Sequence, residues 1–328
     1  MGNTVFERLK SSSVVAAAKR IAPHIKRTSL VRNETLSYIA GGDVFLKYEN
    51  EQITGSFKLR GALNALSTLS SDKRARGVVT SSAGNHGMGV AYAAKTLGIK
   101  AKIFVPRTAP DVKKKGIRAL DADLDDSQPD YDAAMDAAKA FGKQNGREYI
   151  NPCLGDELLA GQGTVALEIT EQLPALKSLV VNVGGGGLLG GCASFIRNEL
   201  PSVRIYGAQS TNTAAMSKSL AADRVVDIPS VPTLADGLAG QIDADAFDIG
   251  KHSLDQIVTL TEDEIADTIA WFAKELNIRV EGAGACAAGA ILHKKLRPET
   301  PCAVVISGGN IDEDRWRGIV GKQRGGSP

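Results

Sequence analysis

The sequence has few of the features that mark disulfide-bonded, metal-binding or membrane proteins. Its 328 residues include only 4 cysteines, which lie far apart and form no C-x-x-C pair. We interpret them as free thiols in a reducing compartment, which excludes a disulfide framework and a cysteine-based zinc site. No apolar run approaches the ~20 residues that cross a bilayer, and residues 1–10 lack the apolar core of a signal peptide. We therefore expect a cytoplasmic protein with no membrane partner.

The sequence also has almost no net charge. Its 39 basic and 37 acidic residues give a formal charge of +2, whereas a nucleic-acid-binding surface needs a strong basic surplus or stripe. The basic triplet at 113–115 and the acidic cluster at 121–126 are interpreted as solvated helix faces. We therefore expect no nucleic-acid partner.

Strand-like and helix-like segments alternate through nearly the whole chain. Short apolar runs such as 44–48, 101–105, 179–183 and 303–306 are typical of buried strands, and longer amphipathic segments separate them. This order predicts an α/β protein in which helices cover both faces of parallel sheets. Ligands of such sheets bind at the carboxyl ends of the strands. Three glycine-containing polar turns occupy that position, at 81–87, 184–187 and 307–310.

Four consecutive glycines, at 184–187, separate an apolar strand from a helix. Without side chains, their backbone N–H groups are free to surround an anion at the helix N-terminus, most often a phosphate. Gly185, Gly187 and Gly190 also match the dinucleotide pattern G-x-G-x-x-G. That pattern requires a carboxylate about 20 residues later, but the next strand ends at Gln209 and Ser210. A phosphate without an adenosine fits better, although the dinucleotide alternative stays open.

Lys58 lies between Phe57 and Leu59 at the start of a predicted helix. Most lysines in such positions are surface residues. Together with a phosphate-binding loop, however, this lysine suggests a Schiff base with pyridoxal phosphate.

Five ordered motifs, S-F-K-L-R-G-A (56–62), S-S-A-G-N-H-G (81–87), A-G-Q-G-T (160–164), V-G-G-G-G-L (183–188) and S-G-G-N (307–310), carry a family resemblance. In this order and spacing, the chain resembles the threonine/serine dehydratase and serine racemase family of fold type II pyridoxal-phosphate enzymes. The resemblance covers residues 6–312. It implies a tryptophan synthase β-like α/β fold with two domains of mostly parallel, twisted sheets covered by helices. The expected domains are a large one, 1–52 with 154–328, and a small movable one, 53–153.

The resemblance also implies roles for the motif residues. Lys58 should bind pyridoxal phosphate covalently and then take the Cα proton of the substrate, while Phe57 packs on the cofactor ring. Asn85 should hydrogen-bond the 3′-oxygen of the ring, and Ser307 its nitrogen. The remaining expected contacts are backbone N–H groups to the phosphate from Gly184, Gly185, Gly186, Gly187 and Leu188, and substrate-carboxylate contacts from Ser82, Ala83, Gly84, Asn85 and His86. Glu281 is expected near the cofactor.

Two activities fit this resemblance. Racemisation needs an acid/base group on each face of the cofactor, and the family's racemases have a serine where this chain has Ala83. The sequence therefore favours dehydration of a small β-hydroxy amino acid, with racemisation as the alternative and a non-catalytic phosphate-ligand binder as a third possibility. The segment 209–215 lacks the carboxylates that hold a divalent cation in some relatives, so no metal is expected there. The loop 151–157 is unusual for the family and is expected to border the substrate side chain. The resemblance also implies a homodimer.

Overall fold

The computed structural model describes residues 5–82, 84–109, 111–229 and 231–322, in which strands form two separate sheets. The larger sheet has six strands in the order β1-β2-β10-β7-β8-β9, and the smaller has four in the order β5-β4-β3-β6. The strands are Leu30–Arg32 (β1), Val44–Tyr48 (β2), Val78–Ser81 (β3), Ala101–Pro106 (β4), Asp123–Gln128 (β5), Glu148–Tyr149 (β6), Ser178–Asn182 (β7), Arg204–Ser210 (β8), Gln256–Leu260 (β9) and Cys302–Ile306 (β10).

The strands of both sheets are parallel apart from β1, which pairs antiparallel with β2. In the larger sheet, Cys302 lies opposite Val44 on one side and Ser178 on the other. Strands β10 and β7 are therefore direct neighbours, and the turns that follow them leave the same edge of the sheet.

Helices surround both sheets, and several begin at a side chain that accepts a backbone hydrogen bond. Thr261 and Glu264 form a reciprocal capping box at the start of α13, and Asp130 caps α8. The helices are Val5–Arg8 (α1), Ser11–Ile21 (α2), Glu34–Ala40 (α3), Lys58–Ser67 (α4), Ser71–Arg76 (α5), Asn85–Leu97 (α6), Asp111–Arg118 (α7), Tyr131–Asn145 (α8), Asp156–Gln172 (α9), Gly187–Glu199 (α10), Ala215–Ala222 (α11), Ala244–Ser253 (α12), Glu262–Glu275 (α13), Gly282–Leu292 (α14) and Glu313–Lys322 (α15).

The two faces of the larger sheet pack against different hydrophobic clusters. In β10, Ala303 and Val305 belong to one cluster, whereas Cys302, Val304 and Ile306 belong to the other. Alternate residues of a strand point to opposite faces. Both faces are covered here, so all five residues are buried and the sequence of the strand is a continuous apolar run. This is the pattern of a parallel sheet covered on both faces, and the α/β fold expected from the sequence is confirmed.

The interpretation of the two charged clusters as solvated helix faces is wrong in part. Asp123 and Asp126 belong to the edge strand β5, and Lys114 of α7 is buried, with its Nζ 3.2 Å from Asp126 Oδ2. This one pair joins the two clusters because α7 packs beside β5, whereas Lys113 pairs with Asp236. Within the described ranges no helix is long and apolar enough to span a membrane.

Candidate active site

Lys58 is the first residue of α4. Backbone carbonyl groups from other segments fix both the start of this helix and the side-chain amine of Lys58. The preceding residue, Phe57, donates its N–H to the carbonyl of Ser307 (3.1 Å), which ties the helix start to the end of β10. Lys58 Nζ donates to the Pro152 carbonyl (2.7 Å) and lies 5.3 Å from the centroid of the Phe57 ring. The amine is half-buried and held by one neutral acceptor.

The glycine loop, residues 184–187, connects β7 to α10. Gly186 has φ +86°, a conformation that residues with side chains rarely adopt, and no side chain caps the helix that follows. Leu188 is buried in the first turn of the helix. The loop thus presents a helix N-terminus without a side-chain acceptor, which is a favourable place for an anion.

The walls of this loop leave no room for side chains. A methyl group on Gly185 would lie 2.7 Å from Cys153 Sγ, and one on Gly184 would lie 3.0 Å from Leu238 Cα. Close packing therefore favours glycine at 184, 185 and 187, where a methyl group on Gly187 would lie 3.1 Å from Cys153 Cα, and backbone conformation favours glycine at 186. A bare loop of this shape beside a held lysine amine fits the phosphate and the aldehyde of pyridoxal phosphate.

Ser307 follows β10, and its hydroxyl is oriented by Asn182 at the end of β7. Asn182 Nδ2 donates to Ser307 Oγ (3.2 Å) and to the Val305 carbonyl (2.9 Å), while its Oδ1 accepts from the N–H of Ala287 (2.7 Å). Because the Asn182 amide donates to Ser307 Oγ, the hydroxyl proton must go to another group. In this structure it makes only a long hydrogen bond to the Ala283 carbonyl (3.5 Å), which a better acceptor could replace. Ser307 is buried.

The second predicted turn, after β3, comes from the smaller sheet. Helix α6 begins at Asn85 without a side-chain cap, and Gly84 N–H donates to Ser82 Oγ (3.2 Å). A methyl group on Gly84 would meet nothing within 4 Å, so the turn faces open space. Ala83, the residue that bears on racemisation, lies outside the described residues.

His86 is buried beneath this turn. Its Nε2 lies 3.1 Å from the Ile150 carbonyl, which can only accept, so this nitrogen carries the proton of the neutral ring. Burial and the nearby Lys58 lower the pKa of His86 to about 3. Nδ1 is then an unprotonated acceptor, and it is buried without a hydrogen-bond partner.

Asn85 joins the turn to Glu281, the residue that precedes α14. Its Nδ2 donates to Glu281 Oε1 (2.6 Å), and Glu281 is 6% exposed. Burial is the main reason that the pKa of Glu281 rises to about 8, and the nearby Asp236 adds to the effect. Glu281 thus lies beside the predicted site residues, as expected from the sequence.

The sequence analysis did not identify a buried charge cluster near Lys58 in the chain. It includes Arg60, two residues after Lys58, and is formed by Lys47, Glu49, Arg60 and Glu168. Arg60 is fully buried, with Nε 2.7 Å from Glu49 Oε2 and Nη1 2.7 Å from Glu168 Oε1. A usable signal was present, since Lys47 interrupts an otherwise apolar strand and charged residues are rarely buried without partners.

The expected absence of a metal was based on the lack of carboxylates in 209–215. Spatially a carboxylate is present, because Ser210 Oγ donates to Glu262 Oε1 (2.5 Å), which also accepts from Thr233 Oγ1 (2.8 Å). Across the part of the chain that the structure describes, no group of three or more His, Cys, Asp or Glu residues is placed to hold a metal ion. The absence of a metal stays a prediction.

Comparison with known proteins agrees with this site. Residues 21–308 match the family model described as pyridoxal-phosphate dependent enzyme. An L-threonine ammonia-lyase of Thermotoga maritima is 41% identical over 299 residues, which are 91% of this chain and 75% of that protein. The catabolic L-threonine dehydratase TdcB of Staphylococcus aureus is 35% identical over 310 residues, 93% of this chain and 90% of that protein. The structure of maize serine racemase has a TM-score of 0.90 and 30% identity, and the match covers 96% of this chain and 98% of that one.

The family match spans most of the chain, and both sequence relatives match over most of their length. The glycine loop, the held lysine and the buried serine lie within the matched residues. This chain belongs to the pyridoxal-phosphate-dependent enzymes of fold type II, and pyridoxal phosphate is its cofactor.

Proposed function

We propose that the protein is a dehydratase that eliminates water from a small β-hydroxy amino acid of the threonine, serine or 3-hydroxyaspartate type, giving an α-keto acid and ammonia. Two of its sequence relatives are named as a threonine ammonia-lyase and a threonine dehydratase. The observation that carries the proposal is the Lys58 amine, held 2.7 Å from the Pro152 carbonyl. Pro152 immediately precedes Cys153, which packs against the glycine loop.

Five groups would hold the cofactor. Lys58 Nζ would bind its aldehyde carbon, the Phe57 ring would pack on its ring, and the backbone N–H groups of residues 184–188 would bind its phosphate. Asn85 and the Ser307 hydroxyl would bind the ring oxygen and the ring nitrogen. The bound cofactor withdraws electrons from the substrate Cα, which makes the Cα proton acidic.

When the Lys58 amine is not bound to the cofactor, it would act as the base that takes the Cα proton. The Pro152 carbonyl accepts from Nζ, so a lone pair on the neutral amine can point away from it. The β-hydroxyl needs one proton to leave as water, and a phosphate held by the backbone N–H groups of residues 184–188 could supply it.

The turn formed by Ser82, Ala83, Gly84, Asn85 and His86 would bind the substrate carboxylate at the N-terminus of α6. The ring of His86 offers no N–H to a carboxylate in the observed geometry, since Nε2 already donates to the Ile150 carbonyl. Its contribution is then the backbone N–H, and the ring supports the loop at 150–153. With its pKa lowered to about 3, His86 stays neutral and transfers no proton at neutral pH.

Residues 53–153 would close over the substrate as a small domain and exclude water. The smaller sheet lies within these residues, at 78–149. One contact that would respond to closure is the ion pair of Lys113 Nζ in α7 with Asp236 Oδ2 (3.1 Å). We further propose that the enzyme is a cytoplasmic homodimer that needs no metal at 209–215.

Amino acid racemisation remains a second candidate, because the similarity to maize serine racemase extends over 96% of this chain. Proton donation to the opposite face of Cα would be required, and Ala83 has no proton to give. The dehydratase is therefore preferred.

Incubation of the holoenzyme with L-serine, L-threonine and threo-3-hydroxyaspartate tests the proposal, with keto acid and D-enantiomer both measured. We expect keto acid and ammonia in equal amounts. Lys58→Ala should abolish product and the visible absorption of the lysine-bound cofactor, whereas Lys19→Ala, at an exposed lysine of α2, should change neither. Mainly D-product would favour the racemase, and no turnover by a cofactor-loaded protein would favour a non-catalytic binder.

A further inference from the structure

Asn310, in the third glycine-containing turn, takes part in a hydrogen-bond chain that reaches the proposed cofactor contact Asn85. Asn310 Nδ2 donates to the Thr54 carbonyl (2.8 Å) and to Asn85 Oδ1 (2.7 Å). Asn85 Nδ2 then donates to Glu281 Oε1 (2.6 Å). We name this series, from Thr54 through Asn310 and Asn85 to Glu281, the amide chain.

The direction of the amide chain is fixed at its ends. The Thr54 carbonyl can only accept, so the nitrogen of Asn310 must face it, and its second N–H is left for the oxygen of Asn85. The nitrogen of Asn85 must consequently point towards Glu281. Rotating the Asn310 amide alone by half a turn would break both of its hydrogen bonds, and rotating the Asn85 amide alone would place its nitrogen against the nitrogen of Asn310.

Packing leaves the amide chain little freedom to move. A methyl group on Gly55 would lie 2.3 Å from Asn310 Oδ1, and one on Gly308 would lie 2.2 Å from Glu281 Oε1 and 3.1 Å from Asn85 Nδ2. Gly308 belongs to the turn that contains Asn310, and Gly55 is three residues before Lys58. Two glycines thus allow the backbone to approach the amide chain closely from either side.

We propose that Asn310 is a positioning residue, which, together with Glu281, orients the Asn85 amide so that an N–H and not the carbonyl oxygen faces the cofactor. One hydrogen of Asn85 Nδ2 is used by Glu281, and the other is the donor for the ring oxygen. Asn310 also fixes Asn85 relative to the backbone four residues before Lys58. This inference rests on the proposed function, because it takes Asn85 as a cofactor contact.

The orientation of the Asn85 amide would affect the negative charge on the ring oxygen of the cofactor. An N–H donor stabilises negative charge on the ring oxygen, whereas a carbonyl oxygen at the same place would repel it. Changing the orientation of Asn85 therefore changes the pH at which the lysine-bound cofactor titrates. A residue that merely supports the fold would lower the stability without moving this titration.

Asn310→Asp provides the test, because it keeps the shape of the side chain but replaces the donor by an acceptor. The carboxylate would face the Thr54 carbonyl and Asn85 Oδ1, so the amide of Asn85 should turn over. Three readouts are compared in the holoenzyme: visible absorption against pH, cofactor affinity of the apoprotein by fluorescence, and melting temperature. Asn310→Ala, which only removes the donor, serves if the Asp variant does not fold.

We expect Asn310→Asp to raise the midpoint of the absorption titration by about one pH unit, the equivalent of one lost hydrogen bond. Cofactor binding should weaken by about tenfold. Asn85→Ala should shift the midpoint in the same direction, and Asn310→Asp should add nothing in the Asn85→Ala background because the two residues act in series. The matched control Asn212→Asp removes a hydrogen bond from Nδ2 to the Pro232 carbonyl outside the site and should leave the midpoint unchanged.

Two results would overturn the inference: an unchanged midpoint in Asn310→Asp and Asn310→Ala while Asn85→Ala shifts it, or an equal shift in both backgrounds. If Asn85→Ala itself has no effect, the role of Asn85 in the proposed function fails, and the inference fails with it. Loss of the visible absorption in Lys58→Ala tests the proposed function independently of both asparagines.

Discussion

Two buried polar regions adjoin Lys58 along the chain, one through Arg60 two residues after it and the other through Ser56 two residues before it. They differ in how their groups are paired. The charge cluster of Lys47, Glu49, Arg60 and Glu168 contains opposite charges in contact, at distances of 2.6 to 2.7 Å. On the other side, Ser56 Oγ, Ser81 Oγ and His86 Nδ1 are buried polar atoms without a hydrogen-bond partner. Buried polar groups are normally satisfied, so we infer that these three unpaired atoms belong to the side that serves a ligand, and we assign the paired charges a structural role. Gln162 Nε2 is also unpaired, but it lies against Gly61 of α4.

The pKa directions follow the same division. Burial works to raise the pKa of Glu168, but Arg60 and Lys47 outweigh it and hold the pKa below its usual value. Glu281, a buried carboxyl on the ligand side, instead has its pKa raised to about 8, since its contacts do not offset burial. The same residue type thus has opposite shifts because only one of the two has cations in direct contact.

Arg60→Met should produce the largest effect, because it removes the cation between two buried carboxylates. Breaking such a buried network by removing one partner costs about 3–5 kcal/mol, so we expect a large fall in the free energy of unfolding, measured by urea denaturation of the apoprotein. The matched control is Arg27→Met, which breaks an exposed ion pair with Glu171 at 2.6 Å and should cost less than about 1 kcal/mol. Similar losses in the two variants would contradict the structural role assigned to the charge cluster.

The sequence predicted most of the fold because its signals are local. Buried parallel strands are continuous apolar runs, so β2, β4, β7 and β10 were placed within about one residue of their observed ends. Strand β5 was missed, since its sequence, Asp123–Gln128, is acidic and has the composition of a solvated segment. An edge strand that is bonded on one side through its backbone needs no apolar side chains.

The candidate site was predictable where chemistry requires a particular residue type at a fixed spacing, as for Lys58 and the glycine loop. The resemblance placed Glu281 near the cofactor, but the contacts of Glu281 and Asn310 with Asn85 could not be inferred from any such spacing. They depend on which side chains meet across 196 and 225 residues of chain, at Asn85. Side-chain orientation at such distances is decided by packing, and no local pattern in the sequence records it.

Cys153 offers a smaller test on the ligand side. It is half-buried against the glycine loop, whereas the other three cysteines are fully buried, and burial raises the pKa of the Cys192 and Cys302 thiols to about 12. Because thiolates are the reactive form, we expect an aromatic disulfide reagent to modify only Cys153 in the folded apoprotein. Cys153→Ser should remove this reaction.

Pyridoxal phosphate at ten times its dissociation constant should slow the modification of Cys153 by about tenfold, since the unliganded fraction falls to about a tenth. Pyridoxal, which lacks the phosphate, should protect less at the same concentration. Equal modification with and without pyridoxal phosphate would show that the phosphate is not bound at the glycine loop. The region with unpaired atoms could then no longer be assigned to ligand binding.

The smallest expected effect compares Glu281 with Glu168 through the pH dependence of stability. The folded protein keeps a proton on Glu281 up to about pH 8, whereas the ordinary value for the unfolded chain is 4.5. Between these values the folded state binds more protons, so the contribution of Glu281 to stability is complete at low pH and is lost as the pH rises. The glutamine in Glu281→Gln cannot titrate. The melting temperature of this variant relative to that of the wild type should therefore rise as the pH increases from about 5 to 8.

Glu168→Gln is the matched control, because the pKa of Glu168 is lowered and its contribution to stability is lost only as the pH falls below its ordinary value of 4.5. Between about pH 5 and 8 the difference from the wild type should therefore be large but constant. A constant difference for Glu281→Gln as well would mean that a cation or a hydrogen-bond donor compensates Glu281 in solution. The two sides of Lys58 would then be paired alike, and the unpaired atoms of Ser56, Ser81 and His86 alone would distinguish the ligand side.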